Sequence, residues 1–173
     1  KVQMGNSLEE FIENTQDYEA ISVKDQIEFL RQKKYDPVSS MYLYYWSDAC
    51  PMIGSGLLDY YRRPYKVYDY MQKVYTPVLV SAQPCIHPYK LGREKIFHAG
   101  ETYTARVWLI NDYYHKIEDA LLEWKVLDCE TGDVLSRNAF RLDILPDSAE
   151  IPDHIVLPLG SELAGHKCRV EMK

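Results

Sequence analysis

The hydrophobic and polar positions change their pattern near Thr76-Pro77. Before this point apolar residues recur at helical spacing, and after it short apolar runs alternate with polar turn residues. A repeat of about 3.6 residues predicts amphipathic helices, whereas a repeat of two predicts strands with one buried face. The sequence therefore predicts a helical piece over residues 1–76 and an all-β piece over residues 77–173.

The first predicted element is a long helix over residues 8–34. Ser7 and Glu10 have the spacing of a capping box, which satisfies backbone N–H groups at the start of a helix. Asp36-Pro37 ends the helix, because the residue before a proline avoids the helical conformation.

An aromatic and almost wholly apolar run at residues 40–46 predicts a strand that is buried on both faces, as in parallel sheets. A loop over residues 47–64 and a second helix over residues 65–75 follow. The order helix, strand, loop, helix is typical of a β/α unit.

The second half of the chain predicts short strands separated by turn residues. Trp108 and Trp124 alternate with aliphatic residues, so both are expected in a core. Strands at a spacing of about ten residues indicate a β-sandwich. The predicted strands lie near residues 78–82, 102–111, 120–128, 134–145, 151–157 and 167–172.

The charge of the chain excludes one class of partner. The formal net charge is -6, and no dense cluster of lysine and arginine occurs. Nucleic-acid binding requires a basic stripe, so no nucleic-acid partner is expected. No apolar run approaches the ~20 residues that a membrane-spanning helix needs, so no membrane span is expected.

The cysteines give no sign of a metal site. Cys50, Cys85, Cys129 and Cys168 are widely separated and form no C-x-x-C pair, which argues against zinc. We expect free thiols that are buried or half-buried, although four cysteines would also permit disulfides in a secreted protein. No metal or other cofactor is expected.

Several motifs in sequence order resemble the β-mannosidase type of glycoside hydrolase family 2. In that family such motifs run from the helix before the last barrel strand, through that strand, its loop and the last helix, into an immunoglobulin-like domain. Ser47 and Cys50 stand where the usual family stretch has Asn and Trp. The motifs here are Asn14-Thr15-Gln16-Asp17-Tyr18, Tyr45-Trp46-Ser47-Asp48-Ala49-Cys50-Pro51, Gly56-Leu57-Leu58-Asp59-Tyr60-Tyr61-Arg62-Arg63-Pro64-Tyr65-Lys66 and Tyr75-Thr76-Pro77-Val78-Leu79-Val80-Ser81.

The resemblance implies a mixed fold class. Residues 1–76 would be the C-terminal end of a TIM, or (β/α)8, barrel, and residues 77–173 an all-β immunoglobulin-like β-sandwich. Six strands are predicted where a seven-stranded sandwich is expected, so the sandwich is expected to be incomplete at its C-terminus. The implied function is the C-terminal fragment of an exo-acting retaining glycoside hydrolase, β-mannosidase- or β-galactosidase-like, that acts on β-linked glycosides.

The resemblance also bears on the site. A retaining glycosidase uses two carboxyl groups about 5–5.5 Å apart, and the glutamates of the family would precede Lys1. We therefore expect no catalytic residue in this chain and no activity of the chain alone. The resemblance implies that the ring of Trp46 forms an apolar platform beneath a bound sugar. The alternative is that Trp46 is a core residue. Asp48 either bonds a sugar hydroxyl or caps the loop through backbone N–H groups.

One alternative is a non-catalytic carbohydrate-binding β-sandwich module, and a weaker one is a free-standing adhesion-type domain. Exposed, coplanar aromatic residues on the sandwich would favour the binding module. The expected partners are the carbohydrate substrate of the intact enzyme and the upstream domains of the parent chain. Association into a homo-oligomer through exposed strand edges is also expected, since unpaired edges recruit further strands.

Overall fold

The computed structural model describes residues 2–52, 54, 56–85 and 96–173. The chain forms two compact units, one ending at Thr76 and the other starting at Pro77. Each unit has its own cluster of buried apolar side chains.

The first unit contains two helices, α1 (Leu8–Gln32) and α2 (Lys66–Val74). Helix α1 begins where the capping box predicts, because the Ser7 hydroxyl accepts a hydrogen bond of 3.2 Å from the backbone N–H of Glu10. It ends at Gln32, since the next backbone N–H groups bond only three residues back.

The two helices pack on each other through small and aliphatic side chains. Ala20 and Ile27 of α1 meet Val67, Met71 and Val74 of α2 in one buried cluster. The buried guanidinium of Arg31 donates to the carbonyl of Val74 at the C-terminal end of α2. This bond satisfies a carbonyl that the helix itself leaves without a partner.

The predicted buried strand at residues 41–46 is wrong for the described chain. These residues form no regular strand, and the side chains of Tyr42 and Tyr44 are 90% and 87% exposed. A parallel strand takes its hydrogen bonds from neighbouring strands. Among the described residues of this unit, the nearest pairing is the isolated bridge between Ser47 and Leu58. A TIM-barrel sheet is therefore not evident here.

The second unit is a sandwich of two antiparallel sheets, ordered β1-β2-β5 and β4-β3-β6. A short 3₁₀ turn precedes the last strand. The strands are β1 (Val78–Pro84), β2 (Thr102–Asn111), β3 (Ile117–Asp128), β4 (Val134–Ile144), β5 (Ser148–Pro158) and β6 (Cys168–Met172).

Alternating side chains from both sheets form the core of the sandwich. Leu122, Trp124 and Val126 of β3 are buried, as the period-two pattern predicts. They meet Val107 of β2 and Ile155 of β5 from the other sheet. Each such burial stabilises the fold by about 1.5–3 kcal/mol relative to an exposed side chain.

The predicted core position of Trp108 is wrong. Val107 and Leu109 point into the core, so the residue between them lies on the opposite face of β2 and is half-buried. Its indole N–H donates to Oε1 of Gln83 at 2.9 Å. The pairing of β2 with β5 shifts register between Val107 and Leu109, where Pro152 of β5 has no N–H to donate.

The four cysteines are free thiols, but all of them are exposed rather than buried or half-buried. Within the described ranges, no three His, Cys, Asp or Glu side chains cluster closely enough to hold a metal ion. No helix of the described chain is both long and apolar enough to span a bilayer.

Candidate functional site

The candidate site lies in the loop between Trp46 and helix α2. Backbone hydrogen bonds fold this loop back on itself. The carbonyl of Trp46 accepts from the N–H groups of Leu57 at 3.1 Å and Leu58 at 3.2 Å, and Asp48 N–H donates to the carbonyl of Leu58 at 3.0 Å. The N–H of Tyr65 then donates to Leu57 at 3.0 Å. The start of the loop is thereby held against its end.

Asp48 is the polar centre of this loop. Its side chain is only 6% exposed. Oδ1 accepts from the backbone N–H of Gly56 at 3.2 Å, and Oδ2 accepts from the hydroxyl of Tyr65 at 2.9 Å. A Cβ atom on Gly54 would stand 2.0 Å from Oδ1 of Asp48, so that position has room only for glycine. Both carboxylate oxygens thus act inside the loop.

Two further ionisable groups lie near this carboxylate. Burial, followed by the negative charge of Asp48, raises the pKa of Glu19 above its ordinary value. Burial and the hydrogen bond to Asp48 raise the pKa of Tyr65 to about 12. The phenol therefore keeps its proton at neutral pH and serves as a fixed donor to Asp48.

Trp46 presents its ring at the surface of the same loop. The side chain is 62% exposed, and its ring meets the ring of Tyr68 edge to face, with centroids 6.5 Å apart. Its backbone carbonyl is fixed by the two loop bonds from Leu57 and Leu58. An aromatic ring held in this way can offer a face to an apolar surface of a ligand.

The two arginines of the loop have different partners. Arg62 has a positive φ of 66° and donates to the hydroxyl of Ser47. Arg63 donates to Asp59 through its backbone N–H at 2.9 Å and through Nε at 2.6 Å. Burial would raise the pKa of Asp59, but the hydrogen bonds from Arg63 hold it below the usual value. Both arginines thus stabilise the loop conformation.

Lys66 joins the motif around residues 14–18 to the motif that ends the loop. Its backbone N–H donates to Oε1 of Gln16 at 3.2 Å, and Nζ lies 2.8 Å from Oδ1 of Asp17. Nζ also forms an ion pair with Glu13. Hydrogen bonds to Asp17 and Glu13 raise the pKa of Lys66. Two motifs that are far apart in sequence therefore meet in this unit.

Sequence reasoning placed Trp46 and Asp48 in the site but missed Glu19 and Tyr65. Asp48 and Tyr65 are joined directly by a hydrogen bond, whereas the ring of Trp46 is exposed. The neighbour of Glu19 in α1, Ala20, belongs to the buried face. Glu19 itself is partly buried, and no pattern in the sequence marked it as a site residue.

The fold of the chain is similar to parts of longer carbohydrate-active enzymes. A β-D-mannosidase from Dictyoglomus thermophilum has a TM-score of 0.75 and 18% identity, over 98% of this chain and 18% of that chain. The exo-β-D-glucosaminidase CsxA has a TM-score of 0.66 and 15% identity, over 100% of this chain and 19% of that chain.

The exo-chitosanase CsxA of Amycolatopsis orientalis, in complex with PNP-β-D-glucosamine, has a TM-score of 0.65 and 15% identity over 100% of this chain. It is covered over 19% of its own length, so the chain spans less than a fifth of each similar structure. At these identities the likeness establishes the fold. No protein-family model and no curated protein matches the sequence.

Proposed function

We propose that this chain is the C-terminal part of an exo-acting retaining glycoside hydrolase of the family 2, β-mannosidase-like type, and that its sandwich is a structural accessory domain. The observation that carries the proposal is the fold likeness over 98–100% of the chain. The likeness covers both units of the chain, and the names of the similar enzymes describe a β-D-mannosidase and an exo-β-D-glucosaminidase.

The exposed aromatic segment supports a larger parent protein. Tyr42, Tyr44 and Trp46 are 90%, 87% and 62% exposed within five residues of chain. Contiguous exposed apolar surface of this kind usually marks a contact surface. In the proposed parent, residues 41–46 would form the last strand of the barrel. Neighbouring parts of the barrel would cover Tyr42 and Tyr44, whereas Trp46, at the end of that strand, would remain open to the sugar.

The chemistry would come from the preceding part of that parent. In retaining hydrolysis one carboxylic acid protonates the leaving oxygen while a carboxylate attacks the sugar, and water then hydrolyses the covalent intermediate. Asp48 is unsuited to either role, because both of its oxygens accept hydrogen bonds inside the loop. We propose that Trp46 stacks against the bound sugar and that Asp48 acts indirectly, by positioning the loop that carries Trp46.

The test compares the parent protein with the 173-residue chain on aryl β-mannoside, β-galactoside and β-glucosaminide substrates. We expect turnover by the parent and none by the chain alone. Substitution of the two parental glutamates at barrel-strand ends should abolish turnover. A parent that lacks such glutamates, or hydrolysis by the chain that disappears in Asp48→Asn, would overturn the proposal.

A further inference from the structure

One end of the sandwich carries a small exposed patch of rings and apolar side chains. It comprises Tyr113, Tyr114 and His115 in the turn between β2 and β3, and Leu145 after β4; we call it the Tyr114 patch. Tyr114 is 89% exposed, Leu145 is 53% exposed and Tyr113 is 42% exposed. Grouped exposed apolar side chains are unfavourable in water unless they serve a contact.

A buried asparagine holds both turns of the patch in place. Asn111 is 0% exposed, and its Nδ2 donates to the carbonyls of His115 at 3.1 Å and Leu145 at 2.9 Å. Its Oδ1 accepts from the N–H of Tyr113 at 2.9 Å. Asp147 N–H adds a bond of 2.8 Å to the carbonyl of Tyr113. The backbone beneath the rings is therefore fixed before any ligand arrives.

The rings themselves are also partly ordered. Tyr113 and His115 stack with centroids 4.9 Å apart and an angle of 25° between their planes. Tyrosine offers a large contact area with few rotatable bonds, so its immobilisation on binding costs little entropy. A preorganised surface of this kind loses less free energy on binding than a mobile one.

The charges around the patch select against polyanions. Lys116, the cation of the turn, is already paired with Asp143 at 2.6 Å and with Glu118 at 3.7 Å. Asp112 and Asp147 belong to the same two turns. A nucleic acid or a phosphorylated ligand needs unpaired cations, so the ligand is neutral or cationic.

The size of the patch selects against a protein partner. A stable protein interface uses roughly 20–30 residues on each side, whereas the Tyr114 patch has four side chains. One or two sugar rings match this size. A pyranose ring presents a face of C–H groups that packs on an aromatic ring.

We propose that the Tyr114 patch is a secondary binding site for a chain of neutral or amino hexopyranose units. The inference rests on the proposed function, because such a site would bind the polymeric substrate of the same enzyme. It assigns to the sandwich a binding role of its own, in addition to its accessory role.

The test uses the complete 173-residue chain with β-1,4-mannohexaose and, separately, chitosan hexamer, followed by amide chemical shifts in NMR titrations. We expect shifts at residues 112–116 and 145–147, and an affinity that falls about tenfold in Tyr114→Ala, as the loss of one stacked ring predicts. The hexamer that binds shows whether the ligand is a chain of neutral sugars or of amino sugars. Tyr44→Ala, at a similarly exposed tyrosine of the first unit, should leave these shifts unchanged.

The inference would be overturned if neither sugar binds, or if Tyr114→Ala binds sugar with the same affinity as the unsubstituted chain. So would sedimentation data in which Tyr114→Ala abolishes a dimer, since the patch would then contact a second copy. In the parent, Tyr114→Ala should leave the hydrolysis of small aryl glycosides unchanged and raise KM for the polymer. If the parent hydrolyses no glycoside while the chain still binds sugar through Tyr114, the proposed function fails and the binding site stands.

Discussion

The hydroxyl of Tyr65 donates a hydrogen bond of 2.9 Å to Oδ2 of Asp48, and this bond joins the start of the loop that follows Trp46 to its end. The other oxygen of the same carboxylate accepts from Gly56 N–H at 3.2 Å. Asp48 is only 6% exposed, so water has little access to replace a lost donor. An ionised carboxylate that loses a buried partner retains its full desolvation cost.

The first prediction follows from that bond. Tyr65→Phe should lower the free energy of unfolding of the first unit by about 1–3 kcal/mol, since it removes a donor to a buried charged group. Urea unfolding followed by the helical circular dichroism signal reports this unit, because both described α-helices belong to it.

The matched control is Tyr61→Phe, which removes a hydroxyl from a tyrosine that is 65% exposed. Its ring contacts with Tyr60 and Arg63 do not need the hydroxyl. We expect a change within about 0.5 kcal/mol, as for most surface substitutions. Equal losses in the two variants would show that the Tyr65 hydroxyl does not hold the loop.

The second prediction concerns Trp46 in the parent enzyme. If its exposed ring stacks on the sugar, Trp46→Ala should lower kcat/KM for aryl β-glycosides about tenfold, equivalent to about 1.4 kcal/mol of lost transition-state binding. Trp46→Phe should restore part of the loss. Unchanged kinetics of Trp46→Ala would leave the ring with a packing role against Tyr68 only.

The third prediction concerns pH. Nδ1 of His166 lies 2.7 Å from Oδ2 of Asp128 in the second unit. The hydrogen bond to Asp128 raises the pKa of His166 above its ordinary 6.5, and the same bond lowers the pKa of Asp128 below 3.8. Because the pKa of His166 is raised in the folded state, His166 contributes stability that is complete below pH 6.5. This contribution is lost as the pH rises through the pKa of His166 in the folded protein. Because the pKa of Asp128 is lowered in the folded state, Asp128 contributes stability above pH 3.8, and this contribution is lost as the pH falls through its folded pKa.

Stabilisation by this pair should therefore be greatest between about pH 4 and pH 6.5, the two ordinary pKa values. His166→Gln should lose stability at pH 5.5 and lose less at pH 8.5, measured by thermal unfolding. His98→Gln is the control, since that residue is exposed and bonds Glu101 through its backbone N–H and carbonyl groups. A pH-independent loss in His166→Gln would contradict the ion pair.

The fourth prediction concerns association of the isolated chain. Exposed strand edges and the aromatic segment around Tyr42 and Tyr44 should pair with a second copy at high concentration. Sedimentation velocity should detect a dimer or larger species that the double variant Tyr42→Lys, Tyr44→Lys reduces. The double variant Tyr60→Lys, Tyr61→Lys, at two other exposed tyrosines, is the charge-matched control. A strict monomer at high concentration would contradict this expectation.

Local patterns predicted the elements whose environment is set locally. Ser7 and Glu10 located the start of α1, because a capping box acts within one turn. The alternation of Leu122 and Val126 located the buried face of β3, because the two faces of a strand differ at every step.

The features that sequence reasoning missed depend on distant neighbours. An aromatic run such as residues 41–46 has the same composition whether other strands cover it or not. The proximity of Glu19 to Asp48 depends on how the loop returns to α1, which no local repeat encodes. The face of Trp108 depends on which side of β2 the other sheet packs, so its apolar character alone suggested a core position.

The last prediction uses the two tryptophans of the sandwich as a matched pair. The indole N–H of Trp124 in β3 donates to Oδ2 of Asp153 in β5 at 2.6 Å, so the bond joins the two sheets. Asn138 of β4 donates to the same oxygen at 2.9 Å. Burial would raise the pKa of Asp153, but these bonds hold it below the usual 3.8. Trp108, in contrast, bonds Gln83 within its own sheet.

Trp124→Phe should therefore lower the free energy of unfolding more than Trp108→Phe, because only the first leaves a carboxylate between the sheets with fewer donors. The expected loss for the missing bond is about 1–3 kcal/mol. The smaller ring also leaves a cavity, so a double-mutant cycle with Asp153→Ala separates the two effects. Coupling of about 1 kcal/mol or more assigns the loss to the bond between the sheets. Additive single losses, within about 0.5 kcal/mol, would assign it to packing alone.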